Sequence, residues 1–321
     1  MARVIDYDFG ISAIDAGFHR PLHVAIHLVA ERGRAAIVDS GTHASVPHVL
    51  AALAAKGIAA AAVDYLILTH VHLDHAGGAG ALMQAMPNAM LTVHPRGARH
   101  VADPSRLIEG TRAVYGEDAT RRMYGDIVPV PRERIVETPE GFALELAGRE
   151  LSFLDTPGHA RHHVVVRDAR SGHVFAGDTF GVAYTQLDFD GRRYAFPTTS
   201  PTQFDPDAAH RSLDRLTALD PGAIYVTHYG RVTGIARMAE DLHRLLDAHE
   251  RIARAAQHAG ARRNAVLAEG VRELVLAEAE RHRWPLARER VLELFAIDIE
   301  LNALGLASWL DSLAPQGQAT I

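Results

Sequence analysis

Within six positions, His70 to His75, the chain places three imidazoles and one carboxylate: Thr69-His70-Val71-His72-Leu73-Asp74-His75-Ala76-Gly77-Gly78. The run follows Asp64-Tyr65-Leu66-Ile67-Leu68, short, apolar and partly β-branched, which predicts a buried strand delivering polar residues at its end. Alternate residues of extended chain point to the same side, so His70 and His72 can aim at one point. Asp74 and His75 lie where the chain turns toward a helix and can aim at a second point. Imidazole and carboxylate are ligands of borderline metals such as zinc. Scattered polar residues at a strand end are the plain alternative. Twenty histidines in 321 residues make chance pairs common. Four ligand types together after an apolar strand are a different matter.

Three further segments end in the same way. Asp155-Thr156-Pro157-Gly158-His159 follows a strand-like stretch ending at Leu154, Gly177-Asp178-Thr179 follows Val174-Phe175-Ala176, and Thr227-His228-Tyr229-Gly230 follows Ile224-Tyr225-Val226. Singly, each His or Asp reads as a cap or turn residue. Added to the first stretch, they bring the ligand set to seven, enough for two metals. There is no cysteine, so disulfides and thiolate ligands are impossible and any metal must take His, Asp or Glu.

Strands and helices must bring these ends together. Residues His23 to Glu31 and Ala35 to Asp39 predict a hairpin turning at Arg32-Gly33-Arg34. A helix from Ser45 to Gly57, a second from Gly77 to Met86 and a strand from Met90 to Val93 give strand–helix alternation. Helical segments are expected within residues 96–141, ended by Pro129-Val130-Pro131. Strands return at Phe142–Leu146, Glu150–Leu154, Val164–Arg167 and Val174–Ala176. A helix begins at Asp205-Pro206, and Ala223–Val226 is the last clear strand. Two similar units facing one another are expected. From about Thr233 the composition shifts to Ala, Leu, Arg and Glu with helical spacing, and Trp284-Pro285 is expected to separate the last two helices. Two regions follow: residues 1–235, holding the ligands, and residues 236–321, all-helical, for which packing, a lid over the pocket and a homodimer interface are the roles weighed.

The ordered series His-x-His-x-Asp-His, Pro-Gly-His, Gly-Asp-Thr and Thr-His, covering residues 20 to 232, resembles the metallo-β-lactamase superfamily. The resemblance implies an α/β class, four-layer αββα sandwich with two metals at one edge. It implies that His70, His72 and His159 bind the first metal, that Asp74, His75 and His228 bind the second, and that Asp178 bridges both. His159 is preferred to His162 and His163 as ligand. Asp39 matches the acidic residue that orients the ligand loop, and His163 matches a structural histidine. The cofactor implied is a pair of divalent ions, zinc first, with iron, manganese or nickel also suited to these donors. A water bridging the ions is acidified and attacks an electrophilic carbonyl or phosphorus, with Asp74 receiving a proton.

The family hosts many reactions, so fold does not choose among them. His72 stands where redox di-iron members carry Glu, which favours hydrolysis. The helices after the last histidine motif resemble those of superfamily thioesterases, and lactone-hydrolysing members share the seven ligands. Hydrolysis of a small carbonyl ester, thioester or lactone is the expectation. The alternatives are a mononuclear-iron persulfide dioxygenase using His70, His159 and Asp178, and a ligand-binding scaffold with little turnover. The segment Phe180 to Phe204 leaves Asp178 directly, and Phe180, Tyr184, Tyr194 and Phe196 are expected as pocket walls. A net charge of −6 gives no reason to expect nucleic acid as partner. No apolar run is long enough to span a bilayer, and Met1 to Asp8 lacks an apolar signal core. A cytoplasmic enzyme acting on a small molecule is therefore expected.

Overall fold

The structure is a computed structural model and describes residues 3–189 and 191–313. A seven-stranded sheet runs in chain order: β1 (Val4–Asp6), β2 (Ile11–Asp15), β3 (Ala25–Glu31), β4 (Arg34–Val38), β5 (Val63–Ile67), β6 (Met90–Val93) and β7 (Ile135–Glu137). A six-stranded sheet holds β8 (Ala143–Leu146), β9 (Arg149–Asp155), β10 (Val164–Asp168), β11 (Val174–Gly177), β12 (Ile224–Val226) and β13 (Gly230–Val232), again in chain order. Strands joined by helical excursions pair parallel, as β4–β5 and β11–β12 do, while those joined by tight turns, as β3–β4 and β8–β9 are, pair antiparallel.

Side-chain alternation fixes the layers. In β4, Ala36 and Val38 turn inward and meet Leu151, Phe153, Val164 and Val166 of the other sheet. Ala35 and Ile37 turn outward, where Val49, Leu53, Leu82 and Met83 cover them. Those covering residues belong to α1 (Val46–Ala55) and α3 (Ala79–Ala85); between them α2 (Leu73–Ala76) is a single turn. On the second sheet, Val165 of β10 faces away from the sandwich into a third cluster. The result is an αββα sandwich.

That third cluster is built largely by helices after the last strand. α7 (Pro206–Thr217) contributes Leu213 and Leu216, and α8 (Ile235–Ala256) contributes Leu242 and Leu245. α9 (Arg263–His282), α10 (Arg288–Leu294) and α11 (Ala296–Leu313) add Val271, Val291 and Leu306. The helical region beyond residue 235 thus shares one core with the outer face of the second sheet.

Residues 96–141 form α4 (Pro95–Ala102), α5 (Ser105–Tyr115) and α6 (Glu117–Tyr124), with the unanticipated β7 after the prolines. The short β1, β2 and β13 were not foreseen either. β13 opens on Gly230, a poor strand former, and is extended because it pairs with β12. Trp284-Pro285 separates α9 from α10, and α11 then starts after a further break at Phe295.

Candidate metal centre

The loop after β5 carries the ligand stretch. His70 lies in the loop, and His72, with an extended backbone, precedes α2, on which Asp74 and His75 sit. His159 follows β9, Asp178 follows β11 and His228 follows β12. All these strands end at the same edge of the sandwich, so four separate loops deliver the seven side chains to one place.

They converge as two sets. His70 Nε2 is 3.0 Å from His72 Nδ1, and His159 Nε2 is 2.9 Å from that same atom. In the second set His75 Nε2 lies 3.5 Å from Asp74 Oδ2, and His228 Nε2 lies 3.6 Å from it. Asp178 stands between the sets. Its Oδ2 is 3.4 Å from His159 Nε2, and its Oδ1 is 3.4 Å from His75 Nε2 and 3.5 Å from His228 Nε2.

The far nitrogens of four of these rings are tied down. His75 Nδ1 donates to Asp39 Oδ2 at 2.9 Å, and His228 Nδ1 donates to the His23 carbonyl at 2.7 Å. His159 Nδ1 meets the Thr198 hydroxyl at 2.6 Å, and His70 Nδ1 meets the Thr69 hydroxyl at 3.2 Å. Such contacts fix the tautomer and leave Nε2 for a ligand role. Asp39 does more than hold His75. It also accepts from the Thr69 backbone N–H and hydroxyl and from the Thr227 hydroxyl, joining two ligand loops at one carboxylate. His163 accepts the Asp178 backbone N–H at Nε2. Its ring packs where a side chain on Gly177 would stand, with φ of +48° and an added Cβ 2.6 Å from His163 Nε2. Only glycine fits there.

The electrostatics of the cluster call for positive charge. Burial holds His72 at about 3 and pushes His70 and His159 down as well, so these rings keep a free lone pair at neutral pH. Burial also opposes protonation of His75 and His228. The carboxylates of Asp178 and Asp74 overcome it and raise His75 to about 10 and His228 to about 9. Asp178 is held well below the usual carboxylate range, because His228, His75 and His159 outweigh its own burial. His75 Nε2 and Asp178 Oδ1 are buried with no hydrogen-bond partner. Buried polar atoms left so are costly unless something charged completes them. A donor set of five imidazoles and two carboxylates with orphaned atoms aimed inward fits a pair of divalent cations.

A cavity of about 530 Å³ opens over this cluster. His72, Asp74, Asp178 and His228 form its floor. Its walls come from Phe18, His19 and His23, from Arg106, Leu107, Val114, Tyr115 and Tyr124 of α5 and α6, from Thr198 and Ser200 to Gln203, and from Ile297, Asp298, Glu300 and Leu301 of α11. The four aromatic residues expected as walls lie elsewhere. Phe180, Tyr184, Tyr194 and Phe196 are buried in the core between the second sheet and the C-terminal helices. The Tyr184 hydroxyl donates to Asp298, and the Tyr194 hydroxyl donates to Glu278. Their density reflects the apolar helices that cover this segment. Sequence reasoning missed Asp298, whose one visible signal was an acid inside the apolar run Ala296-Ile297-Asp298-Ile299. Burial raises its pKa above the ordinary carboxyl value.

Comparison with known proteins gives a consistent picture. The family model of the metallo-beta-lactamase superfamily matches residues 19–228. A metallo-beta-lactamase fold-containing protein of Sulfurisphaera tokodaii is 28% identical over 194 residues, covering 59% of this chain and 68% of that protein. A hydroxyacylglutathione hydrolase of Xanthomonas campestris is 32% identical over 200 residues, 62% of this chain and 57% of that enzyme, so less than two thirds of it is matched. Among solved structures, a superfamily protein from Sulfolobus tokodaii aligns with TM-score 0.61 and 26% identity over 74% of this chain and 86% of its own. A family protein from Thermus thermophilus aligns with TM-score 0.65 and 23% identity over 94% of this chain and 93% of its own, a likeness of fold that extends into the C-terminal helices.

Proposed function

The chain belongs to the metallo-beta-lactamase superfamily, and from that premise we propose that it is a dinuclear metal-dependent hydrolase of a small carbonyl ester, thioester or lactone. The observation that carries this reading is the divided carboxylate of Asp178, with Oδ2 toward the His70, His72 and His159 set and Oδ1 toward His75 and His228. One carboxylate serving two nitrogen sets is the arrangement a two-metal site requires. Zinc is the ion these donors suit best, with iron, manganese and nickel next.

Bound there, two divalent ions supply Lewis acidity, bringing the pKa of a coordinated water to about 7 and polarising a carbonyl oxygen. The protein's own groups do the rest. The far-nitrogen contacts hold His70, His75, His159 and His228 in their ligand tautomers. Asp74 stands at the boundary between cage and cavity, its side chain 21% exposed. Its Oδ2 faces His75 and His228 in the second ligand set, and the other carboxylate oxygen, Oδ1, would take the proton released from the attacking water and return it to the leaving oxygen or sulfur. The balance is that of hydrolysis: a bond from water oxygen to the acyl carbon forms, the bond to the leaving group breaks, and the leaving group departs protonated. Leu107, Val114, Ile297 and Leu301 give the cavity an apolar side suited to an acyl chain. The 32% identity to hydroxyacylglutathione hydrolases supports a thioester among the three bond types.

The test pairs elemental analysis of the purified protein with a panel of thioesters, lactones, phosphodiesters and β-lactams. We expect about two metals per chain held by the seven cage ligands and turnover of a thioester or lactone. One iron per chain with oxygen uptake on a persulfide would replace this reading with the dioxygenase. Retained metal with no turnover across the panel would replace it with a binding scaffold.

A further inference from the structure

Outside the cage, a second group of ligand-type side chains lies where α7 packs against α8. α7 bears His210 and Asp214, and α8 bears His243 and Asp247. In each helix the histidine and aspartate are four residues apart and share a face. The two imidazoles stack, 4.9 Å between centroids and 10° between planes. Their Nδ1 atoms are 2.6 Å apart. His210 Nε2 lies 3.3 Å from Asp247 Oδ1, and His243 Nε2 lies 3.2 Å from Asp214 Oδ1. Each histidine Nε2 therefore faces the aspartate of the opposite helix.

A carboxylate accepts and does not donate, so in the tautomer that puts N–H at each Nε2, facing its aspartate, each ring turns an Nδ1 lone pair toward the other. Two lone pairs at that separation repel. The arrangement is stable with a cation between them, either a shared proton or a metal ion. We propose that the α7–α8 seam is a divalent transition-metal site, with His210 Nδ1 and His243 Nδ1 as ligands and Asp214 and Asp247 as the carboxylates that orient them. A ligating histidine ordinarily donates its other N–H to a carboxylate, which fixes the tautomer and strengthens the ligand. With metal–nitrogen bonds of 2.0–2.1 Å, a tetrahedral ion needs the two nitrogens to part by only about 0.7 Å. The side chains of His210 and His243 are 25% and 29% exposed, so water can reach the remaining coordination positions. Imidazole ligands suit zinc, copper and nickel. The ion would tie the sandwich, through α7, to the first helix of the C-terminal region. The site shares no residue with the cage and does not depend on the proposed reaction.

The experiment dialyses the full-length chain against micromolar Zn²⁺ and counts bound zinc. The His210→Ala/His243→Ala double variant should bind one ion per chain fewer than wild type, with unchanged hydrolytic activity. In an Asp178→Ala background, zinc should still raise the melting temperature when both histidines are present and should not when they are absent. Asp214→Asn with Asp247→Asn should weaken this zinc about 10- to 100-fold. Equal zinc counts in wild type and the double variant, or anomalous scattering confined to the cage, would overturn the proposal and leave a shared proton as what joins the rings.

Discussion

The floor of the large cavity and the wall above it are held by different kinds of contact. The four floor residues and the three candidate ligands beneath them come from segments at strand ends, and four of the five rings are anchored at the far nitrogen. Asp39, buried, joins two of those loops. Much of the wall comes from the helices α5, α6 and α11. α5 has no buried residue, and Val114 and Tyr115, which line the cavity, are 40% and 38% exposed. A shift in the floor leaves buried charges unpaired, whereas a shift in the wall exchanges one half-solvated apolar contact for another. The comparison teaches that the floor determines which bond chemistry is available, while the wall determines what enters.

Removing the bridging group should have the largest effect. Asp178→Ala deprives both ligand sets at once, and kcat/KM should fall about a thousandfold or more, the equivalent of about 4 kcal/mol of transition-state stabilisation. Elemental analysis of the same variant should show most metal lost. Wild-type turnover with full metal content would end the assignment of Asp178. Next comes Asp39→Asn, which touches no proposed metal. It weakens the hold on His75 and on the Thr69 loop. Metal affinity, read by competition with a chelator, should fall about 10- to 100-fold.

The wall should answer differently. Leu301 lines the cavity and is neither a candidate ligand nor a hydrogen-bond partner of one. Leu301→Ala should raise KM for an apolar acyl substrate about tenfold, the scale of one or two lost methylene contacts, while kcat and metal content stay at wild-type values. Loss of metal in this variant would break the division between floor and wall.

The same division explains what the sequence disclosed. His70, His72, Asp74 and His75 lie within six residues, and the strands before them have apolar runs, so the floor could be read locally. The sandwich layers followed from the alternation seen in β4 and β10. The wall had no such local sign. Asp298 reaches the cavity from far along the chain, and its partner Tyr184 is met only through the fold. Phe180 and Phe196 stand close to Asp178 in sequence, yet the C-terminal helices turn that segment into core. Sequence proximity to the centre therefore misled where a later element claimed the same surface. β13 was hidden for a related reason: Gly230-Arg231-Val232 becomes a strand through its partner.

The smallest effect expected at neutral pH lies behind the wall, where Glu278 of α9 is buried. Its carboxylate takes both Arg244 Nη atoms at 2.6 Å and lies 3.3 Å from His282 Nε2 and from the Tyr194 hydroxyl. Arg244 also reaches Asp241 at 3.0 Å. Burial opposes ionisation of Glu278, but His282 and Arg244 overcome it and bring its pKa to about 2, below the ordinary value of 4.5. A carboxylate with a depressed folded-state pKa adds stability that is fully present above its unfolded value and is lost as pH falls through the folded one. The melting temperature of wild type should therefore fall between about pH 4.5 and pH 2 with a contribution that Glu278→Gln removes. At neutral pH kcat/KM of this variant should match wild type, since Glu278 touches neither the floor nor the cavity. A variant whose acid melting curve keeps the wild-type slope would show that the helices behind the wall are held by apolar packing alone, and the wall would then be softer than the Arg244–Glu278 pair implies.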